Sequence, residues 1–355
     1  MKTKIIRSST IPLSLDTFCA GLLRELQHDE GYEVVAVSSP GKELERVASR
    51  EGVRVHAVPM ERHISPLNDI VSLWRLIRVF RRERPDMVHS MTPKAGLLSM
   101  IAAWLTRVPV RVHTFTGLVF PTATGLTQKI LILTDRITCA CATHIVPEGE
   151  GVKNDLTRYR ITRKPLRVLG HGNIRGIDLQ RFDPSLPEVR TRADEIRRPG
   201  VFTFVFIGRL VGDKGVNELV EAFAGLNRRR PETRLVLVGP YEQNLDPLRA
   251  ETLSEIERNP AIEAVGSQSD VRPWLAGADA FVFPSYREGF PNVVIEAGAM
   301  GLPSIVTDIN GSREIIVEGE NGTIVPPRDA AALAAAMERF VADHEAVVRM
   351  ASNAR

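Results

Sequence analysis

Short β-branched runs alternate with longer amphipathic segments from one end of this chain to the other, and the pattern is completed twice. In the first half the runs fall at 4–6, 33–37, 53–58, 87–88, 110–115 and 143–146, with helical periodicity near 14–28, 66–83, 94–106 and 124–141. The second half places runs at 202–207, 234–238, 262–265, 280–283, 304–307 and 323–325. Its helical patterns fall near 215–229, 243–257, 271–277, 291–300 and 329–345. Nearly continuous apolar strands separated by helices predict parallel sheet covered on both faces. Two such sets predict an α/β chain of two doubly wound domains, with ligands bound beyond the carboxyl ends of the strands. Two facing sheets would put a site in the cleft between them. The period fails around 165–199, where Gly, Pro and charge collect. The expected division is therefore a first domain over 1–165, a linker over 166–198, a second domain over 199–345 and a tail over 346–355.

Composition removes several function classes. With 43% hydrophobic and 25% charged residues, the chain has the make-up of a folded globular protein rather than a disordered one. A net charge of only +3 and sparse aromatics give no footprint for nucleic acid, so no such partner is expected. Cys19, Cys139 and Cys141 form no CxxC pair and no ligand spacing, which reads as small buried hydrophobes in a reducing compartment. The amino terminus lacks the apolar core of a signal peptide. The most apolar run, 97–105, is far short of the ~20 residues that span a bilayer. The expected location is the cytoplasm, at most against the inner face of the membrane.

The second half carries two strand-to-helix junctions with chemistry in them. The first runs Phe206, Ile207, Gly208, Arg209, Leu210, Val211, Gly212, Asp213, Lys214, Gly215. Gly208 frees space at the strand end, and Arg209 and Lys214 bring two cations to a helix start that already favours anions. That suits a diphosphate; it also describes an ordinary solvated turn. The second runs from the strand 280–283 through Pro284, Ser285, Tyr286, Arg287, Glu288, Gly289, Phe290, Pro291 and Asn292 into a helix bearing Glu296. Amides and one carboxylate there can grip sugar hydroxyls while the second carboxylate takes a vicinal diol. On spacing alone, Glu288 as surface charge and Glu296 as a solvated helix residue remain equally open.

Together the junctions, in the order GRLxxDKG, FPSxxEGFPxxxxEAxAxGLP, VTDxxGSREII and NGTIVPPRD, resemble glycosyltransferase family 4, whose members have the GT-B fold. The likeness spans roughly 168–334. It implies that the chain is a retaining glycosyltransferase using a nucleotide diphosphate-sugar. Arg209 and Lys214, beside Gly208, would hold the donor diphosphate. Glu296 would bind the ribose. Glu288, Gly289, Phe290 and Asn292 would frame the donor sugar, and the base would stack near Val265, Gly266 and Ser267. Glu288 is not assigned as a covalent nucleophile; front-face substitution, with the leaving phosphate helping to deprotonate the acceptor, is the expected course. No Asp-x-Asp pair occurs in the sequence, so no metal and no cofactor are expected, and fixed cations would neutralise the departing diphosphate.

In the first half the resemblance implies an acceptor site. Its opening loop holds Ser9, Thr10 and Ser14 where many relatives carry paired glycines, which puts a phosphate contact there in doubt. His113, at the end of the strand 110–115, would line the catalytic cleft; a lone histidine is as readily structural, and His89 is the weaker candidate. The stretches around 113–125, 128–156 and 168–182 resemble capsule and exopolysaccharide transferases of the family. These imply a UDP-linked hexose or N-acetylhexosamine donor and a lipid-diphosphate-linked acceptor such as an undecaprenyl-diphosphate saccharide. A peripheral membrane contact would follow. The segment 67–84, with Trp74, Ile77 and Phe80 among Arg75, Arg78, Arg81, Arg82 and Arg84, fits such an interface. It also fits an ordinary helix packing its apolar stripe on the sheet, which is the favoured reading.

Rival functions are weaker. No strand leads into GxGxxG, because Gly170, Gly172 and Gly176 have the wrong final spacing, and no GxxxxGK[ST] loop is present. A UDP-N-acetylhexosamine 2-epimerase on the same fold, or a non-catalytic nucleotide-sugar-binding homologue, stays as the alternative. Relatives usually continue past the position of Arg355 with a helix that crosses back to the first domain. A short or missing crossover predicts looser domain closure.

Overall fold

The computed structural model describes residues 2–63, 65–242, 244 and 246–355. The chain divides into two compact units, Met1–Arg175 and Gly176–Arg355. Each is built on its own six-stranded sheet.

In the first unit the strands are β1 (Lys4–Ser8), β2 (Glu33–Ser38), β3 (Arg54–Ala57), β4 (Met87–Met91), β5 (Val110–Phe115) and β6 (His144–Pro147), ordered β3-β2-β1-β4-β5-β6 and all parallel. The second unit repeats the order with β7 (Phe202–Ile207), β8 (Thr233–Val238), β9 (Ile262–Gly266), β10 (Ala280–Phe283), β11 (Ser304–Thr307) and β12 (Gly322–Val325), as β12-β11-β10-β7-β8-β9. These pairings are parallel as well. Chain order reverses between β1 and β4 in one sheet and between β7 and β10 in the other. Those switch points leave the crevices where ligands of such sheets bind.

The strands are apolar on both faces because helices cover both. In the second unit Phe204, Phe206, Phe281 and Phe283 are at most 2% exposed, and the rings of Phe206 and Phe283 stack 6.2 Å apart across the β7–β10 pair. In the first unit the helices Pro66–Glu83 and Gly125–Cys141 flank Pro93–Leu105 on one face of the sheet. Parallel strands require each returning helix to start at the carboxyl end of the sheet. Among the described residues no helix is long and apolar enough to cross a membrane.

The helical pattern near 14–28 is two helices, Pro12–Phe18 and Leu22–His28, broken where Gly21 takes φ 81°. The helix expected over 243–257 is seen at Ala250–Arg258; Gln243 and Leu245 of that expectation lie outside the described residues. The stretch 165–199, expected to be irregular, contains the helix Pro187–Ile196, which packs on Arg272–Ala276. The expected tail forms the helix His344–Asn353, capped by the Asp343 carboxylate. Beyond it the Arg355 guanidinium donates to the carbonyls of Leu179, Phe182 and Ala299. All three cysteines are free; Cys19 and Cys139 are buried, and burial pushes the Cys139 thiol up to about 12.

Candidate functional site

The switch point of the second sheet is tied together by a glycine. Gly215 closes the turn after β7 and opens the helix Val216–Arg229 at φ 70°. A Cβ built on it would sit 2.0 Å from the carbonyl oxygen of Pro284, at the exit of β10. The two strand exits therefore touch backbone to backbone, which only glycine permits. Three further contacts pin the same junction. The Tyr286 amide donates to the Asp213 carbonyl at 2.9 Å, the Ser285 hydroxyl oxygen lies 3.3 Å from that carbonyl, and Arg287 pairs with the Asp213 carboxylate at 2.7 Å.

Lys214 and Glu288 meet across this junction as a hydrogen-bonded ion pair, each side chain 18% exposed. The Ser285 hydroxyl donates to the same Glu288 oxygen at 2.9 Å. The Lys214 ammonium lies 5.4 Å from the centroid of the Phe283 ring, so the cation has an aromatic neighbour as well as the carboxylate. Arg209, two residues past the end of β7, is ion-paired with Glu242. Gly208 between them donates its amide to Val238, and Leu210 donates to Pro240, extending the β7–β8 pairing beyond the regular strands.

The remaining donor-side expectations follow the β10 exit. Gly289 is buried, Phe290 and Asn292 are half-buried, and Glu296 is buried in the helix Asn292–Ala299. Gly311, at φ 75°, lets the loop after β11 press on this turn: a Cβ there would meet the Gly289 carbonyl oxygen at 2.6 Å. Val265 stands apart. It lies on the edge strand β9, two strands from β7, and its carbonyl accepts from the Gln268 side chain at 2.8 Å.

Several members of the cluster were not anticipated. Tyr286 donates its hydroxyl to Glu218 at 2.6 Å under the Arg328 guanidinium, 4.6 Å from the ring centroid. Burial, with the Glu218 carboxylate beside it, raises the phenol above its ordinary range. Asp246 accepts from the Asp213 amide and holds the turn from the β8 side. Ser285, Tyr286 and Arg287 lie inside the motif, which was the available signal. Glu242 and Asp246 lie outside it and gave none.

In the first unit the expected residues lie on β4, on β5 and just beyond β1, with the hydroxyls of Ser9 and Thr10 already engaged. Ser9 donates to the Ile11 carbonyl at 2.7 Å. The Thr10 hydroxyl pairs with that of Thr92 at 2.8 Å and accepts from the Ala95 amide at 3.1 Å, so it satisfies an open donor of the helix Pro93–Leu105. Thr92 is held at φ 69°, ψ 144°, a conformation β-branched residues rarely adopt. Ser14 is half-buried in the helix Pro12–Phe18. His113 is 1% exposed, with Nδ1 2.8 Å from the Ser90 hydroxyl and its ring edge-on to Phe115. The helix makes room for it at Gly96, where a Cβ would lie 2.3 Å from the imidazole. Burial pulls His113 down to about 3, so the ring is neutral. His89 bridges Arg7 and the Thr114 hydroxyl, and burial beside the Arg7 cation lowers it far below its usual value. Among the described residues no three His, Cys, Asp or Glu side chains gather in a way that would hold a metal ion.

Comparison with known proteins places both units. The family model described as "Glycosyl transferase 4-like domain" matches residues 15–172, and that described as "Glycosyl transferases group 1" matches 201–343. The capsular polysaccharide biosynthesis glycosyltransferase CapM of Staphylococcus aureus is 32% identical over 332 residues, covering 93% of this chain and 86% of that protein. An Escherichia coli protein named UDP-Gal:alpha-D-GlcNAc-diphosphoundecaprenol alpha-1,3-galactosyltransferase is 28% identical, covering 86% and 79%. The crystal structure of Anabaena HepE with UDP and glucose superposes with a TM-score of 0.80 at 17% identity, covering 99% and 93%. A glycosyltransferase from Rickettsia africae superposes at 0.76 with 20% identity, covering 99% and 92%. At such identities these superpositions speak for the fold.

Proposed function

The chain belongs to glycosyltransferase family 4, with the GT-B fold, and is a glycosyltransferase of polysaccharide biosynthesis; we propose that it moves a hexose or N-acetylhexosamine from a UDP-sugar to a lipid-diphosphate-linked saccharide, with retention of configuration and without a metal or other cofactor. The observation that carries this reading is the Lys214–Glu288 ion pair at the switch point of the second sheet, with Arg209, paired to Glu242, on the same turn out of β7. The UDP-sugar and the undecaprenol-linked acceptor are supported by the Escherichia coli relative, named as a UDP-galactose-dependent transferase acting on a diphosphoundecaprenol-linked sugar.

In this reading the donor diphosphate takes the place that carboxylates hold now. It draws Arg209 from Glu242 and Lys214 from Glu288, so two cations face two phosphates beside the start of the helix Val216–Arg229. Glu288, released from Lys214 and oriented by Ser285, then accepts hydrogen bonds from the donor sugar together with the amides of Gly289 and Phe290. Glu296 takes the ribose hydroxyls, and the base stacks near Val265. The bond between the anomeric carbon and the diphosphate oxygen breaks while the acceptor oxygen bonds to the same face. The acceptor proton passes to the departing phosphate. Arg209 and Lys214 stabilise the charge that develops on it, which preorganised cations do far better in a dry crevice than in water. His113, neutral, buried and fixed by Ser90, supports the acceptor side from beneath, and Ser9, Thr10 and Ser14 shape its opening loop.

The test is UDP release from a panel of UDP-sugars in EDTA, with and without bacterial lipid extract, on the wild type and Glu288→Ala. Release that needs the extract, survives EDTA and is lost in the variant is the expected result. Consumption of a UDP-N-acetylhexosamine without acceptor would replace transfer by epimerisation.

A further inference from the structure

The turn out of β10 has a hold that does not involve Lys214. It is built on Tyr286, two residues before Glu288. The Tyr286 amide donates to the Asp213 carbonyl at 2.9 Å, its hydroxyl donates to Glu218 at 2.6 Å, and the Arg328 guanidinium covers its ring at 4.6 Å from the centroid. Glu218 lies in the first turn of the helix Val216–Arg229 and is 7% exposed. A carboxylate buried to that degree needs hydrogen bonds, and the start of a helix favours its charge. Its other oxygen has only a longer contact, 3.4 Å from the Arg249 guanidinium. The preceding residue, Asn217, ties the same helical turn to the start of Ala250–Arg258, accepting from the Arg249 amide at 3.0 Å and the Thr252 hydroxyl at 2.8 Å. The Tyr286 hydroxyl therefore meets an acceptor on a helix that is itself anchored. Arg328 reaches the ring from a backbone at φ 61°, a conformation that residues other than glycine rarely adopt.

In the proposed reaction the diphosphate draws Lys214 away from Glu288. The turn that carries Glu288 must then keep its place by contacts that the donor does not take. The Arg287–Asp213 pair is open to water, with side chains 36% and 23% exposed, and pairs of that kind contribute little. A hydrogen bond from a phenol to a buried carboxylate contributes more. We propose that Tyr286, held by Glu218, is the positioning residue that keeps Glu288 aimed at the donor sugar once Lys214 has turned to the diphosphate. Tyr286 touches no reacting atom; it acts by fixing the backbone from which the Glu288 side chain departs. The inference rests on the proposed transfer reaction and adds the residue that preserves its geometry in the loaded state.

Turnover, UDP affinity and amide hydrogen exchange are to be measured on the full chain. Tyr286→Phe should lower kcat about tenfold, while the Kd for UDP, which carries no sugar, moves less than about twofold. Glu218→Ala should match that loss, and Glu218→Gln, which keeps an acceptor for the phenol, should recover most of it. The double variant Tyr286→Phe with Glu218→Ala should fall no further than either single one. Exchange over 285–290 should rise in Tyr286→Phe more with UDP bound than without, because only then has Lys214 left Glu288. In a Lys214→Ala background, with no ligand present, Tyr286→Phe should raise the same exchange as strongly. Equal exchange increases in every state, or an unchanged kcat in Tyr286→Phe, overturn the proposal, as does a fall in UDP affinity as large as that in kcat. If the wild type transfers no sugar, the transferase reading fails, and exchange in the Lys214→Ala background still decides whether Tyr286 holds the turn.

Discussion

Gly215 and Pro284 stand so close that a Cβ on the glycine would lie 2.0 Å from the proline carbonyl oxygen. This backbone contact joins the exit of β7 to that of β10 and sets how Lys214 meets Glu288. Gly215→Ala must both adopt φ 70° and push the β10 exit away. We predict a loss of at least about 2 kcal/mol in urea unfolding of the second unit, with UDP binding falling in parallel. An unchanged midpoint would show that the contact is not needed.

Lys214→Ala should lower kcat/KM by roughly 10²–10³, as loss of one preorganised charge-stabilising group does elsewhere. Because Lys214 is assigned to charge that grows as the diphosphate leaves, kcat should fall more than donor affinity. A variant with weakened UDP binding and an intact kcat would reduce Lys214 to a docking residue.

Arg209 is paired with Glu242, and the proposed donor has to compete for it. Glu242→Gln keeps the shape and removes the charge. UDP titration calorimetry should then show binding several-fold tighter, in keeping with the modest worth of a part-exposed ion pair. Weaker binding would mean that Glu242 serves the nucleotide directly.

Acid should destabilise the first unit sooner than the second. His113 is held near 3 by burial and His89 is lowered in the same direction, so the unfolded chain binds protons that the folded one refuses. Stability is full above the ordinary histidine value of about 6.5 and falls as pH drops through it, by roughly 1 kcal/mol per pH unit per histidine. Glu83, held at about 2 and lowered by hydrogen bonds from His56, Lys4 and Arg54 against the opposing effect of burial, adds its own loss only below the usual carboxylate range. Urea midpoints between pH 7 and 5 should therefore slope downward, and His113→Asn should flatten the slope. A flat wild-type profile would contradict the neutral histidine.

The strands and the switch-point motifs were readable because their signals are local. Runs such as 202–207 and 280–283 are apolar throughout, and Gly208 to Gly215 and Pro284 to Asn292 sit directly on strand ends. The helix Lys42–Glu51 was not anticipated, since Leu44 and Val47 are the buried apolar positions in a run dominated by charge. His344–Asn353 was hidden by its start: Asp343 ends one helix and caps the next, so the two periods blur. Trp74, which is 58% exposed, was assigned to a core-facing stripe because periodicity identifies a stripe but not how far it rotates from the sheet. Within the site, the roles suggested for Arg209 and Lys214 concern a bound donor, whereas their partners here, Glu242 and Glu288, are 33 and 74 residues away. Such pairings depend on strand order, which a single sequence does not display. Thr92 gave no signal for the same reason: its hydroxyl pairs with that of Thr10, 82 residues earlier.

Every residue assigned to the donor lies after Gly176, in a unit with its own sheet and its own core. In the proposed assignment, preference for a nucleotide sugar and preference for an acceptor are written on separate, contiguous stretches of the gene. Recombination near codon 176 can exchange one without rewriting the other, which offers a short route to new polysaccharide structures from existing parts.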